Sequence, residues 1–252
     1  MKLPITNWAL DYSSTVKVPN LQRFDLFITG GPAVPVPAVP QPFFYCSWAE
    51  MLKGNAQRVS ADTGVAILGE NKKWGTCFMD CGEPRWADYL LSSVIIPGKA
   101  AGYKGVFLDT FDGMEDCANA LGYGDPSPER TRLYLGSLNF VQRLCDLGDL
   151  KVITNRGFPQ CVMGMASFPC YAGMMIESAW QSTGGPTPQS ERQWIWEQLA
   201  SFDTSGMTIL TLDYCQDQDK AGQICQRSEA RGFTPLVVRG SLTPPKIVAY
   251  PK

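Results

Sequence analysis

Apolar residues in this chain gather in eight short runs, at 7–12 NWALDY, 25–30 DLFITG, 42–47 PFFYCS, 104–109 KGVFLD, 151–155 KVITN, 172–178 AGMMIES, 207–213 MTILTLD and 234–239 TPLVVR. Several are apolar without a break, the pattern of parallel strands covered on both faces. Helical periodicity over 86–102, 128–147, 190–203 and 219–231 fills gaps between them. The start and stop signals agree with it. Pro84 precedes the first of these helices; Ser127 and Pro128 open the second as cap and first turn, and Gly148 lies beyond its end. Gly232 stops the last helix just before the eighth run. Eight strands with helices between them predict an α/β fold, a (β/α)8 TIM barrel rather than an open sheet, as one domain over 1–252 with an irregular first half. Residues 32–40, PAVPVPAVP, cannot be helical with proline every few positions. They read as a short extended crossing where a helix has been lost, or as a polyproline ligand for a partner domain.

Composition narrows the function. A chain of 252 residues with 44% hydrophobic side chains buries a large core, which excludes global disorder. A formal charge of −2 and no Lys/Arg cluster argue against nucleic acid or an anionic membrane as partner. No apolar stretch approaches the ~18 residues of a membrane helix. The opening MKLPITNWAL has no apolar core of a signal peptide, and there is no N-x-S/T sequon. The nine cysteines form no CxxC, and Cys77 and Cys81 have no second pair, which speaks against zinc. Their odd count and irregular spacing fit scattered buried thiols, with room for one or two bridges in an oxidising compartment.

Histidine is absent altogether. That removes Ser-His-Asp and Cys-His catalysis, His-ligated zinc and haem ligation together. Acid–base chemistry then falls to Asp, Glu, Lys, Tyr or Cys, and no metal or cofactor is expected.

In barrels of this class the working residues lie where strands run into the following loops. Those positions hold Asp11 and Tyr12, Tyr45, Ser47 and Glu50, Asp109 and Asp112, Asn155 and Arg156, Glu177 and Trp180, and Asp213 and Tyr214. Each has a plain structural alternative. Asp109 and Asp112 could cap turns, Glu177 could pair with Arg156, Asp213 could orient Arg156 or a backbone amide, and Trp180 and Tyr214 could be packing. Two carboxyls on strands four and six, with histidine missing, fit glycoside hydrolysis: one attacks or stabilises the anomeric carbon, and the other donates to the leaving oxygen. Aromatic rings at the rim suit the apolar faces of sugars. A hard-cation site at Asp109 and Asp112 is the counter-reading, and D-x-x-D alone is too common to support it.

The series NWALDY, LQRFDLFIT, FFYCSWAE, KWGTCFMDCGEPRWADYLL, GYKGVFLDTFD, ITNRGF, MMIES, ILTLDYC and ARGFTPLVV resembles, over nearly the whole chain, glycoside hydrolase family 114, the endo-α-1,4-polygalactosaminidase-like barrels related to the hydrolase domain of Pel exopolysaccharide enzymes. The resemblance implies endo-hydrolysis of α-1,4-linked galactosamine or N-acetylgalactosamine chains by a retaining mechanism. By motif position it makes Asp109 the nucleophile and Glu177 the acid/base, with Asp11, Tyr12, Tyr45, Asn155, Arg156, Asp213 and Tyr214 lining the sugar subsite. It implies an exported, extracellular or periplasmic protein, a polysaccharide as partner and a monomeric enzyme. Ala49 stands where the family often has glycine. A barrel that binds carbohydrate without cleaving it, and a metal-dependent hydrolase or deacetylase on the same sugars, are the alternatives.

Overall fold

All eight apolar runs become parallel strands of one sheet, laid side by side in chain order: β1 Trp8–Asp11, β2 Leu26–Thr29, β3 Gln41–Ser47, β4 Gly105–Asp109, β5 Lys151–Asn155, β6 Tyr171–Glu177, β7 Thr208–Tyr214 and β8 Thr234–Val238. The computed structural model describes residues 2–13 and 20–239; the remainder of the predicted 1–252 domain lies outside the described residues. At the seam between β8 and β1, the Trp8 indole donates to the Thr234 carbonyl (3.0 Å), and the Thr234 hydroxyl donates to the Ile5 carbonyl (3.1 Å). The sheet is thereby curled into a nearly closed (β/α)8 barrel.

Side chains alternate across a strand, so each strand serves two layers. One buried cluster takes residues from all eight, among them Leu10, Ile28, Phe43, Phe107, Ile153, Met175, Leu212 and Leu236, and so fills the interior of the barrel. Their sequence neighbours Phe44, Leu108, Val152, Met174, Ile176 and Ile209 face outward, in a second cluster with Leu133, Phe140 and Ile195 of the surrounding helices. Close approach is bought with glycine at Gly173 in β6, where a Cβ would lie 2.0 Å from the Thr208 carbonyl oxygen of β7.

The helices are α1 Lys53–Thr63, α2 Pro84–Leu90, α3 Ile96–Ala101, α4 Gly113–Ala120, α5 Pro128–Asp146, α6 Phe158–Val162, α7 Gln189–Ala200 and α8 Gln218–Glu229. The helix expected over 86–102 is α2 and α3 joined by a π turn at Leu91–Ile95. Pro97, with no N–H to donate, lies two residues past its end, and the wider turn accommodates the broken ladder. In α5 the Ser127 hydroxyl accepts from the Arg130 amide (3.1 Å), as the cap signal predicts. No helix joins β2 to β3; the proline-rich 32–40 stretch crosses in turns and bends.

The irregular first half resolves into an insertion. Between β3 and α2, α1 packs beside a three-stranded antiparallel sheet of Glu50–Leu52, Thr76–Met79 and Ile67–Asn71. Of the cysteines, Cys145 at the end of α5 bridges to Cys170 ahead of β6, and six of the other seven are buried. Closing that loop removes freedom from the unfolded chain. Cys145→Ala or Cys170→Ala is expected to lower the free energy of unfolding by about 3 kcal/mol, read by urea titration under non-reducing conditions. Among the described residues no helix is long and apolar enough to cross a membrane.

Candidate active site

By alternation, the inward positions at the last turn of the strands are Tyr12, Tyr45, Asp109, Asn155, Glu177 and Tyr214, directly above the apolar interior. The structure draws these six together. The Asn155 side-chain nitrogen donates to Asp109 Oδ1 at 2.8 Å and reaches Glu177 Oε2 at 3.4 Å. Because both contacts share that nitrogen, the two carboxylate oxygens lie at most about 6 Å apart. The Tyr214 hydroxyl donates to Glu177 Oε1 at 2.5 Å. Tyr12 and Tyr45 stand edge to face with ring centroids 4.9 Å apart. Burial first, then the Asp109 carboxylate, holds both phenols well above their usual range; burial and Glu177 do the same for Tyr214. All three therefore remain hydrogen-bond donors across the working range of pH.

Sharp turns follow the strands that carry this group. Thr110, Arg156 and Ser178 come immediately after Asp109, Asn155 and Glu177, and all three are left-handed, with φ of 54°, 55° and 57°. Among the described residues only one other non-glycine, Asn20, has positive φ. Non-glycine residues adopt this region at a cost, and such strain clusters at functional sites. Thr110 is held there by hydrogen bonds to the Ser47 hydroxyl (2.9 Å) and from the Ala49 amide (2.9 Å).

Arg156 swings its guanidinium to the Glu177 main-chain carbonyl (3.1 Å), within 4.0 Å of Asp112 and 3.6 Å of Glu191. Its bond to Glu177 is thus to the backbone, whereas the side-chain ion-pair alternative required the carboxylate. Asp112 opens α4 and lines a recess of about 140 Å³ with Glu115, Asp116, Arg156, Phe158 and Trp194. Desolvation in this setting pushes the Asp112 carboxyl up to about 7, with Arg156 pulling the other way and Asp109 reinforcing the rise. Glu115, Asp116, Phe158 and Trp194 were not singled out from the sequence. The i, i+3, i+4 spacing of Asp112, Glu115 and Asp116 was the signal that could have found the first two, had the short α4 been recognised.

Four rim candidates are placed elsewhere. Asp213 is on an outward position of β7, wholly buried, where its Oδ1 accepts from the Trp180 and Gln181 amides (2.7 and 2.9 Å). It orients backbone, the plainer of its two readings, and burial pushes it up to about 7 against those two bonds. Trp180 turns outward too. Its indole donates to Ser228 (2.9 Å) and packs on Trp196 at 5.2 Å, between α7 and α8. Glu50 enters the inserted sheet, where a buried carboxylate needs donors and finds them in Asn71 (3.1 Å) and the Thr76 hydroxyl. Asp11 shares the outward parity of Ala9 and accepts from the Ser13 amide (2.9 Å). A larger cavity, about 880 Å³, shares no lining residue with the pair; it opens between α2 and α5 and is lined by Glu83, Pro84, Arg132 and Leu135 among others. No group of three or more acidic or sulfur side chains is arranged to hold a metal ion among the described residues.

Two carboxylates facing one another at the mouth of an eight-stranded barrel, among phenols and without an imidazole, are the arrangement that glycosidases use. The chain belongs to glycoside-hydrolase family GH114, whose sequence profile matches residues 42–251. It is similar in structure to the glycoside hydrolase domain of PelA from Pseudomonas aeruginosa, with a TM-score of 0.74 and 24% identity over 94% of this chain and 96% of that one. It is also similar to Ega3 of Aspergillus fumigatus, solved in complex with galactosamine, with a TM-score of 0.69 and 9% identity over 97% of this chain and 94% of that one. At these identities the likeness is one of fold. Among curated proteins, none matches in sequence. Family membership makes this chain a glycoside hydrolase.

Proposed function

We propose that this chain cleaves α-1,4-linked galactosamine polymers internally, with retention of anomeric configuration, through Asp109 as nucleophile and Glu177 as acid/base. One observation carries the reading: a single amide nitrogen contacts both carboxylates, which keeps their oxygens within about 6 Å. Retaining enzymes hold their pair about 5–5.5 Å apart, whereas inverting ones need about 6.5–9.5 Å to admit a water between sugar and base. In the first step an Asp109 oxygen bonds to the anomeric carbon as the glycosidic C–O bond breaks, and Glu177 gives its proton to the departing oxygen. In the second, water attacks the glycosyl ester, Glu177 takes the water's proton, and the Asp109 carboxylate is released. Tyr214, donating to Glu177, fixes the direction in which that acid points.

The substrate class rests on charge. Asp112, Glu115 and Asp116 line the recess beside the pair, with Arg156 as its cation. Such a mouth attracts ammonium-bearing sugars and repels uronates, and the galactosamine bound to Ega3 is a sugar of that kind. Turnover is expected to be faster on partly deacetylated α-1,4-galactosamine polymer than on polygalacturonate, with products sized by mass spectrometry and their anomers read by NMR at early times. Equal or greater release from the polyuronate would remove the charge argument. A first-formed β-anomer from the α-linked chain would remove the retaining assignment.

A further inference from the structure

We infer that Asn155 is a positioning residue that sets the separation of Asp109 and Glu177, and that the fold keeps it there against its own stability; the inference rests on the reading just given. The ionised Asp109 carboxylate can only accept, so the Asn155 atom 2.8 Å from it must be the amide nitrogen. That commits the other end. Asn155 Oδ1 is buried and has no hydrogen-bond partner among the described residues, in a residue that is 8% exposed overall. A sealed acceptor left unpaired is a cost to folding. With its oxygen sealed and its nitrogen engaged by the pair, Asn155 acts through the two carboxylates, not on the sugar.

A second cost falls on the next residue. Arg156 is left-handed at φ 55°, and from there it donates to the main-chain carbonyl of Glu177 at 3.1 Å. Side chain and following residue thus both tie the end of β5 to the end of β6, and each does so at a strained or unsatisfied position. Stability alone selects neither.

The groups that face the bridge are Asp109 from β4, Glu177 from β6, and the phenols of Tyr12, Tyr45 and Tyr214 from β1, β3 and β7, with Arg156 and Asp112 alongside.

The test compares wild type with Asn155→Ala and Asn155→Leu. On whichever glycan wild type cleaves, both variants are expected to lose about 100-fold in kcat, the scale of an ångström's misplacement, with KM changed less than about 3-fold. Asn155→Leu should melt no lower than wild type. A raised KM with kcat unchanged, or an Asn155→Leu that melts well below wild type, overturns the proposal. Because kcat is read on whichever glycan wild type cleaves, inactivity on amino-sugar polymers refutes the substrate alone, and the loss of kcat on the glycan that is cleaved still decides the positioning role.

Discussion

Asp109→Asn is expected to lower kcat/KM by at least about 1,000-fold, some 4 kcal/mol of transition-state stabilisation, while the melting temperature stays near that of wild type. The substituted side chain keeps an oxygen for the Asn155 amide, so the hydrogen bond across the site survives and only the proposed nucleophile is lost. Glu177→Gln is expected to lower kcat/KM by about 100- to 10,000-fold, the usual contribution of a positioned acid. The two losses differ in kind. A substrate whose leaving group departs without a proton should restore much of the first step to Glu177→Gln and nothing to Asp109→Asn, because only the former lacks an acid. Substantial activity in Asp109→Asn, or equal rescue of both, would overturn the assignment of roles.

Asp213 carries the second large effect, and its sign follows from linkage. Burial raises its carboxyl from 3.8 to about 7 in the folded protein. Between those values the native state holds a proton that the unfolded state has released, so stability falls as pH rises from about 4 to about 7. The loss is at most about 4 kcal/mol from a shift of this size. Asp112 acts in the same direction, but its side chain is 40% exposed and solvent screens it. Asp213→Asn keeps an oxygen for the Trp180 and Gln181 amides and cannot ionise. Its unfolding free energy relative to wild type should therefore improve steadily from pH 4 to pH 8, measured by urea titration with the disulfide intact. Parallel curves for the two proteins would show that Asp213 does not titrate in this window.

The barrel could be read from the chain because parallel strands sealed on both faces leave unbroken apolar runs, and all eight runs became strands in the order written. The insertion between β3 and α2 left no comparable trace. Its helix α1 buries only Ala56 and Val59, and its strand Ile67–Asn71 is half-exposed along its length. Patterns so weak do not rise above loop. At the rim, strand ends were legible and side-chain direction was not. Asp11 and Asp213 sit one residue before Tyr12 and Tyr214, and the alternation of the strand sends the carboxylates out and the phenols in. Trp180 lies three residues past Glu177, beyond the left-handed Ser178, and turns toward α8, a bend for which no local propensity speaks. Asn155 was visible as a polar strand end. Its contact with both carboxylates needed coordinates, because Asp109 and Glu177 belong to the strands on either side of it.

The division of β7 between its two faces limits how such an enzyme can diverge. Leu212 and Tyr214 face the barrel interior while Thr211 and Asp213 serve the helical layer, so gaining one codon inside the strand would trade a phenol for an acid at the mouth and leave a tyrosine among the helices. The connections carry no such constraint, and the segment between β3 and α2 holds a sheet of its own.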